Sequence, residues 1–217
     1  YVDGGSDNLR FGIELQYANQ DGVMKESLRD RMSAAFYLQY SYKSLTVKNQ
    51  TSYQKVQSKE SPYGNFADYA NQLPYDVYKD EEGGYLPTLQ YWGAGMDLKR
   101  VNPLYEPSLH NFDKSYTDEF INNLSVNWNI VNGLLLKGQL SLIKSIGKHK
   151  RFYDPLSKQD ANKNIMSLTN LVSGTLYMDE SDDFTMDMNA TLSYNKALGH
   201  HMLNALAGVN MQERTSK

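Results

Sequence analysis

Two-residue alternation of apolar and polar side chains, repeated along the chain, is the feature that most limits what this sequence can fold into. The clearest case spans 184–195. Phe184, Met186, Met188, Ala190, Leu192 and Tyr194 alternate without a break against Thr185, Asp187, Asn189, Thr191, Ser193 and Asn195. Successive side chains of a strand point to opposite faces, whereas a helix would mix the two sets. At about 3.3 Å per residue and a tilt near 40°, some ten residues cross an apolar layer roughly 25 Å thick. The segment has that length.

The same period recurs. Phe11, Ile13, Leu15 and Tyr17 oppose Gly12, Glu14 and Gln16. Met32 through Tyr42 alternate with Ser33, Ala35, Tyr37, Gln39 and Ser41. Leu45, Val47 and Tyr53 oppose Lys48, Gln50, Ser52 and Gln54. Leu124, Val126, Trp128 and Ile130 oppose Asn123, Ser125, Asn127 and Asn129. Leu134, Leu136, Leu140 and Leu142 oppose Lys137, Gln139 and Ser141, with Leu135 and Ile143 blurring the polar side. Leu203, Ala205, Ala207, Val209 and Met211 oppose Asn204 and Asn210. Seven membrane-crossing strands are expected, near 9–19, 31–43, 45–56, 118–131, 134–146, 184–196 and 200–213.

Connections alternate in length. Lys43-Ser44, Val131-Asn132-Gly133 and Ala197-Leu198-Gly199 read as tight turns, Asn132-Gly133 because both residues tolerate positive φ. Gln20–Asp30 is a medium loop, and 57–117 and 147–183 are long ones. Short turns on one side and long loops on the other describe an outer-membrane barrel. Leu171–Met178 resembles a further strand with a turn at Asp179–Asp183. We read 171–183 as one arm and the tip of an extracellular hairpin, which keeps Ala197–Gly199 on the short-turn side. The odd number of crossings and the abrupt ends suggest a piece of a longer protein.

Composition agrees with this class without proving it. At 40% hydrophobic residues and a mean hydropathy of -0.62, the chain looks like a soluble globule. In a barrel only alternate residues face lipid, so average hydropathy stays polar. No apolar run reaches the roughly 20 residues of a membrane helix. The absence of cysteine excludes disulfides and thiolate chemistry. A net charge of -3 with mixed signs gives no basic stripe for nucleic acid. A soluble β-sandwich is the competing fold. The Asn, Gln, Ser and Thr of the polar faces suit a wet lumen better.

Several short motifs, in this order, resemble the early barrel of the SusC/RagA group of TonB-dependent transporters. They are Gly4-Gly5-Ser6-Asp7 with Arg10-Phe11, Tyr17-Ala18-Asn19-Gln20-Asp21-Gly22-Val23, Leu38-Gln39-Tyr40, Leu45-Thr46-Val47-Lys48-Asn49, Ser61-Pro62-Tyr63-Gly64-Asn65-Phe66-Ala67-Asp68-Tyr69, Leu73-Pro74-Tyr75, Asn102-Pro103-Leu104-Tyr105, Trp128-Asn129-Ile130, Leu192-Ser193-Tyr194-Asn195-Lys196, Gly199-His200-His201 and Ala207-Gly208-Val209-Asn210. The resemblance implies an all-β portion of a 22-stranded antiparallel transmembrane barrel in the outer membrane of a Gram-negative bacterium. It implies import of an oligosaccharide or peptide, a SusD-like surface lipoprotein as cap, and energy from TonB. The plug domain and TonB box of such proteins are not in this sequence. A non-transporting surface binding protein or adhesin is the alternative.

The candidate sites follow. Loop 57–117 is rich in aromatic residues, among them Tyr63, Phe66, Tyr69, Tyr75, Tyr91, Trp92 and Tyr105. Such faces form the loop's own core, or contact a partner or a glycan or peptide ligand. Glu14, Gln39, Gln50, Asn127, Gln139, Asp187 and Asn189 are expected to face the lumen, as a solvated wall or along the solute path. Asp80-Glu81-Glu82 and the acids of 179–183 lack EF-hand spacing and read as solvated charges. No HExxH, GxSxG or Walker A pattern occurs, so we expect no metal, cofactor or catalytic centre. A secreted glycan-active β-sandwich enzyme would need a carboxylate pair that the sequence does not nominate.

Overall fold

A computed structural model describes residues 1–90, 100–157 and 174–217. Alternation becomes one antiparallel sheet. Its strands are β1 (Val2–Gly5), β2 (Leu9–Asp21), β3 (Leu28–Tyr42) and β4 (Leu45–Lys59), then β8 (Phe112–Val131), β9 (Leu134–Tyr153), β10 (Thr175–Leu198) and β11 (His201–Ser216). The order in the sheet is the order in the chain, β1-β2-β3-β4-β8-β9-β10-β11. Seven strands are long. The eighth, β1, has four residues of sequence Val-Asp-Gly-Gly, too short to show a period.

Between β4 and β8 lie helix α1 (Phe66–Ala70) and a small sheet of β5 (Val77–Lys79), β6 (Tyr85–Gln90) and β7 (Arg100–Val101). Asn65 caps α1 by accepting the Ala67 amide at 3.0 Å, which satisfies one donor of the first turn. No described helix is long and apolar enough to cross a membrane.

Register sorts the side chains into two faces. On one face the residues stack in rows such as Tyr42–Leu45–Trp128–Leu136–Leu192, Tyr40–Val47–Val126–Gly138–Ala190 and Leu38–Asn49–Leu124–Leu140–Met188. Next come Phe36–Thr51–Asn122–Leu142–Met186 and Ala34–Tyr53–Phe120–Lys144–Phe184. The following row, Met32–Lys55–Asp118–Ile146–Asp182, is already charged. Four steps of two residues at about 3.4 Å, tilted near 40°, make this band roughly 20 Å tall. Tyr40, Tyr42 and Trp128 border it below, and Tyr53, Phe120 and Phe184 above.

This band is not buried. Phe36, Tyr53, Phe120, Trp128, Phe184 and Met188 are all exposed. Leu89, in the small sheet, is the one buried hydrophobic residue among those described. Among the described residues the sheet therefore has no soluble-type core, and none of them covers its apolar face.

Three expectations change. First, Asp179–Asp183 is not a turn. β10 runs straight through it, paired with β9 up to Thr175↔Tyr153. The reason is charge complementarity across the ladder: Lys148–Glu180 lie directly opposite at 3.2 Å, His149 faces Asp179 at 3.7 Å, and Lys144 pairs diagonally with Asp182. Each exposed pair contributes only about 0.2–1 kcal/mol, but together they keep the acids extended. Residues 171–173 of the expected arm lie outside the described residues. Second, the last tight turn sits at Gly199-His200, because β10 continues to Leu198, which pairs with His201. Gly199 supplies φ +61° there. Third, Asn132 does not share positive φ with Gly133. The β8–β9 ladder slips between Asn129 and Val131, and only Gly133 is left-handed, at +88°. That is a turn closed by a bulge.

A Cβ on Gly133 would lie 2.3 Å from the Asn195 carbonyl oxygen, in addition to the left-handed backbone. Gly133→Ala should cost about 1–3 kcal/mol and lower the thermal midpoint of the folded protein in detergent. Gly138, with open space around its Cβ position, is the control, and Gly138→Ala should leave that midpoint nearly unchanged.

Candidate functional site

The opposite face of the sheet is polar. One row reads Arg10–Gln39–Lys48–Ser125–Gln139–Asn189–Asn210, and the next Gly12–Tyr37–Gln50–Asn123–Ser141–Asp187–Gln212. Glu14 and Asn127 belong to the same face, so Glu14, Gln39, Gln50, Asn127, Gln139, Asp187 and Asn189 all share it. Neighbouring side chains bond along it. The Tyr37 hydroxyl donates to Gln39 Oε1 at 2.6 Å, and Gln39 Nε2 donates to Ser41 Oγ at 3.4 Å.

The apolar face holds a polar exception. Asn122 Nδ2 donates to Thr51 Oγ1 at 2.7 Å, Asn49 Nδ2 donates to Asn122 Oδ1 at 3.2 Å, and Thr51 Oγ1 donates to Asn49 Oδ1 at 3.1 Å. Three polar residues at mid-height of an apolar band satisfy one another. The gap between Val47 and Tyr53 in the apolar pattern was the only sign of this cluster in the sequence.

Above the band the loops are built around buried polar groups. Asn102 is fully buried, and its Nδ2 donates to the Tyr78 and Leu86 carbonyls at 2.9 and 2.7 Å. Its Oδ1 accepts the Leu104 amide at 3.0 Å. One side chain thus ties β5, β6 and the following loop. Glu106 is 1% exposed and accepts from Asn111 Nδ2 at 2.7 Å and Ser157 Oγ at 2.8 Å. Asn111 Oδ1 accepts the Asp154 amide at 2.8 Å, which joins the two long connections.

The aromatic candidates divide. Tyr69 is half-buried, and its hydroxyl lies within donating distance of the Tyr63 and Pro103 carbonyls, at 2.8 and 3.0 Å. Burial, with smaller effects from Tyr63, Asp68 and Glu106, pushes its phenol up to about 12. Tyr63 and Tyr105 are also half-buried, and burial followed by the charges of Asp154 and Glu106 raises the Tyr105 phenol. Phe66 and Tyr75 stand exposed, at 67% and 64%. Tyr91 and Trp92 lie outside the described residues. Tyr78 and Tyr85, further aromatics of the same loop, stack at 6.5 Å with Lys79 over both rings.

Where β8, β9 and β10 rise past the band they carry a cluster that sequence reading missed. Asp113 receives His149 Nε2 and Arg151 Nε, both at 2.6 Å. The hydrogen bond to Asp113 raises the Arg151 guanidinium above its usual value. Phe112 and Phe152 stack at 5.7 Å, and Tyr153 meets Tyr177 edge-on at 6.1 Å. Among the described residues no group of three or more His, Cys, Asp or Glu is placed to hold a metal.

Beside this cluster lies an open cavity of about 780 Å³, bounded by residues 20–29, 56–65, 111–117 and 152–153. Its size falls within the ligand-pocket range. Its walls are fixed by Lys59 on Glu26 at 3.3 Å, Ser61 Oγ on the Lys25 carbonyl at 2.6 Å, and the Glu60 amide on the Asp113 carbonyl at 2.9 Å.

Solved structures place this architecture. The RagAB peptide transporter superposes on 97% of the chain with a TM-score of 0.71 at 18% identity. The RagAB peptide importer in its open-open state covers 99% with a TM-score of 0.67 at 16% identity. The ferric-catecholate import receptor Fiu from E. coli K12, in its open form, covers 99% with a TM-score of 0.56 at 10% identity. The fold is that of a stretch of β-barrel wall in those structures. The chain spans 23%, 24% and 31% of those three chains, respectively. No protein-family model and no curated protein matches the sequence.

Two outcomes are expected in the loops above this wall. Asn102→Ala should accelerate hydrogen exchange at the Leu104 amide and through β5 and β6, since about 1–3 kcal/mol of buried hydrogen bonding is lost, while β8–β10 exchange stays unchanged. Tyr69→Phe should remove one phenolate absorbance step near pH 12. Because the folded value lies above the ordinary 10.0, the Tyr69 contribution is complete below pH 10 and fades as pH rises through about 12.

Proposed function

We propose that this chain forms part of the wall of an outer-membrane importer of the SusC/RagA group in a Gram-negative bacterium. The observation that carries the reading is the two-faced sheet. One face presents an aromatic-bordered apolar band about as tall as an outer-membrane hydrocarbon layer, and the other presents amides, hydroxyls and a few charges. A closed barrel of such sheet, completed by strands outside these residues, gives both faces their solvent. Lipid covers the band, and water fills the lumen. The likeness to peptide and ferric-catecholate importers supports the same assignment.

In this reading Glu14, Gln39, Gln50, Asn127, Gln139, Asp187 and Asn189 line the route of a polar nutrient, a peptide or an oligosaccharide. No covalent chemistry is required of them. The chain would be energised by TonB acting on a plug outside these residues and capped by a SusD-like surface lipoprotein. Exposed Phe66 and Tyr75 are the loop aromatics available to partner or ligand. Half-buried Tyr63, Tyr69 and Tyr105 serve the loop's own packing.

Brominated lipids test the assignment directly. With Trp92, the other tryptophan of these residues, and every tryptophan outside them replaced by phenylalanine, Trp128 is the sole reporter. Its fluorescence in bilayers should be strongly quenched by lipid-borne bromine. A tryptophan introduced by Gln139→Trp, in a background lacking every native tryptophan, should be unaffected. Equal quenching at both positions, or none at Trp128, would remove the membrane reading.

A further inference from the structure

We infer that the cavity above the band is a subsite for a short zwitterionic peptide, held by Arg29 at its carboxylate and Glu60 at its ammonium. Four charged side chains line this cavity: Arg29, Lys59, Glu60 and Asp113. Two are engaged, Lys59 with Glu26 and Asp113 with His149 and Arg151. The side chains of Arg29 and Glu60 have no hydrogen-bond or ion-pair partner among the described residues, and they do not pair with each other. A free cation and a free anion on one wall are complementary to a ligand that carries both charges.

Register sets the ligand's length. Arg29 sits opposite Ser58, two residues before Glu60. That offset is about 7 Å along the strand and about 5 Å across it, and both side chains are long. The ends of an extended tripeptide are roughly 10 Å apart, which the two heads can span. Met24, Val56 and Pro62 contribute apolar lining for a side chain. Guanidinium–carboxylate pairing is the geometry for which arginine is best suited. Gln20, Arg29, Val56, Ser58 and Thr117 all lie on the polar face in register, so the subsite would stand at the mouth of the route.

This inference rests on the importer reading, because that reading makes the polar face the solute side. The test uses full-length protein purified in detergent and equilibrium dialysis against a defined mixture of tripeptides. The mixture is offered with free ends, N-acetylated, and C-amidated, with maltooligosaccharides as the neutral comparison. Mass spectrometry reads what is retained. Free-ended peptides should be retained about tenfold more strongly than either blocked form, the factor expected of one charge-assisted contact. Arg29→Gln should abolish the discrimination against the C-amide alone, and Glu60→Gln the discrimination against the N-acetyl form alone. Lys196→Gln, at the far end of β10, should retain both. Equal retention of free and blocked peptides, preference for the oligosaccharides, or unchanged discrimination in both variants would overturn the subsite. No retention of any peptide by a protein whose Trp128 is quenched by brominated lipid would overturn the subsite and leave the wall assignment standing. Loss of Trp128 quenching strikes the importer reading itself.

Discussion

Backbone hydrogen bonding between strands adjacent in sequence holds the described residues together, because they bury almost no apolar core. Each long strand between β1 and β11 gives its donors and acceptors to its two neighbours, in continuous antiparallel register. In hydrocarbon no water can replace those bonds, so a sheet of this kind persists only when every edge is paired. Here β1 and β11 are edges, and β11 is exposed along its whole length. The apolar band, the polar face and the exposed edges are consequences of one arrangement, a single-layer sheet with an apolar side and a polar side.

Above the band the physics changes. Strands β8, β9 and β10 continue beyond the rows that lipid could cover, and their cohesion passes from apolar contact to complementary charge. Lys148–Glu180 and the Asp113–His149–Arg151 cluster lie in this part, and Lys144, in the top row of the band, reaches up to Asp182. The loops use a third device. Asn102 and Glu106, buried and hydrogen-bonded, tie separate loop segments to one another. A buried polar group left unpaired is costly, so these contacts specify one loop arrangement. The cavity beside them inherits its shape from those ties.

The sequence by itself determined the two faces. Alternation at 184–195 or 32–42 decides which side chains share a side whatever the neighbours are, because a strand's period is two. Glu14, Gln39, Gln50, Asn127, Gln139, Asp187 and Asn189 could therefore be sorted onto one side before any strand was paired. Local chemistry also marked where Gly133 and Gly199 turn the chain. Only the tertiary structure decided where strands stop and what their charges meet. The acids of 179–183 looked like a turn because their partners, Lys144, Lys148 and His149, lie on β9, some 30 to 40 residues away. The mutual hydrogen bonds of Asn49, Thr51 and Asn122 join β4 to β8 across a separation of 71 to 73 residues. Arg29 and Glu60 become neighbours only through the β3–β4 register. Periodicity is a property of one strand, but register and loop closure depend on contacts between distant segments, and no local pattern encodes them.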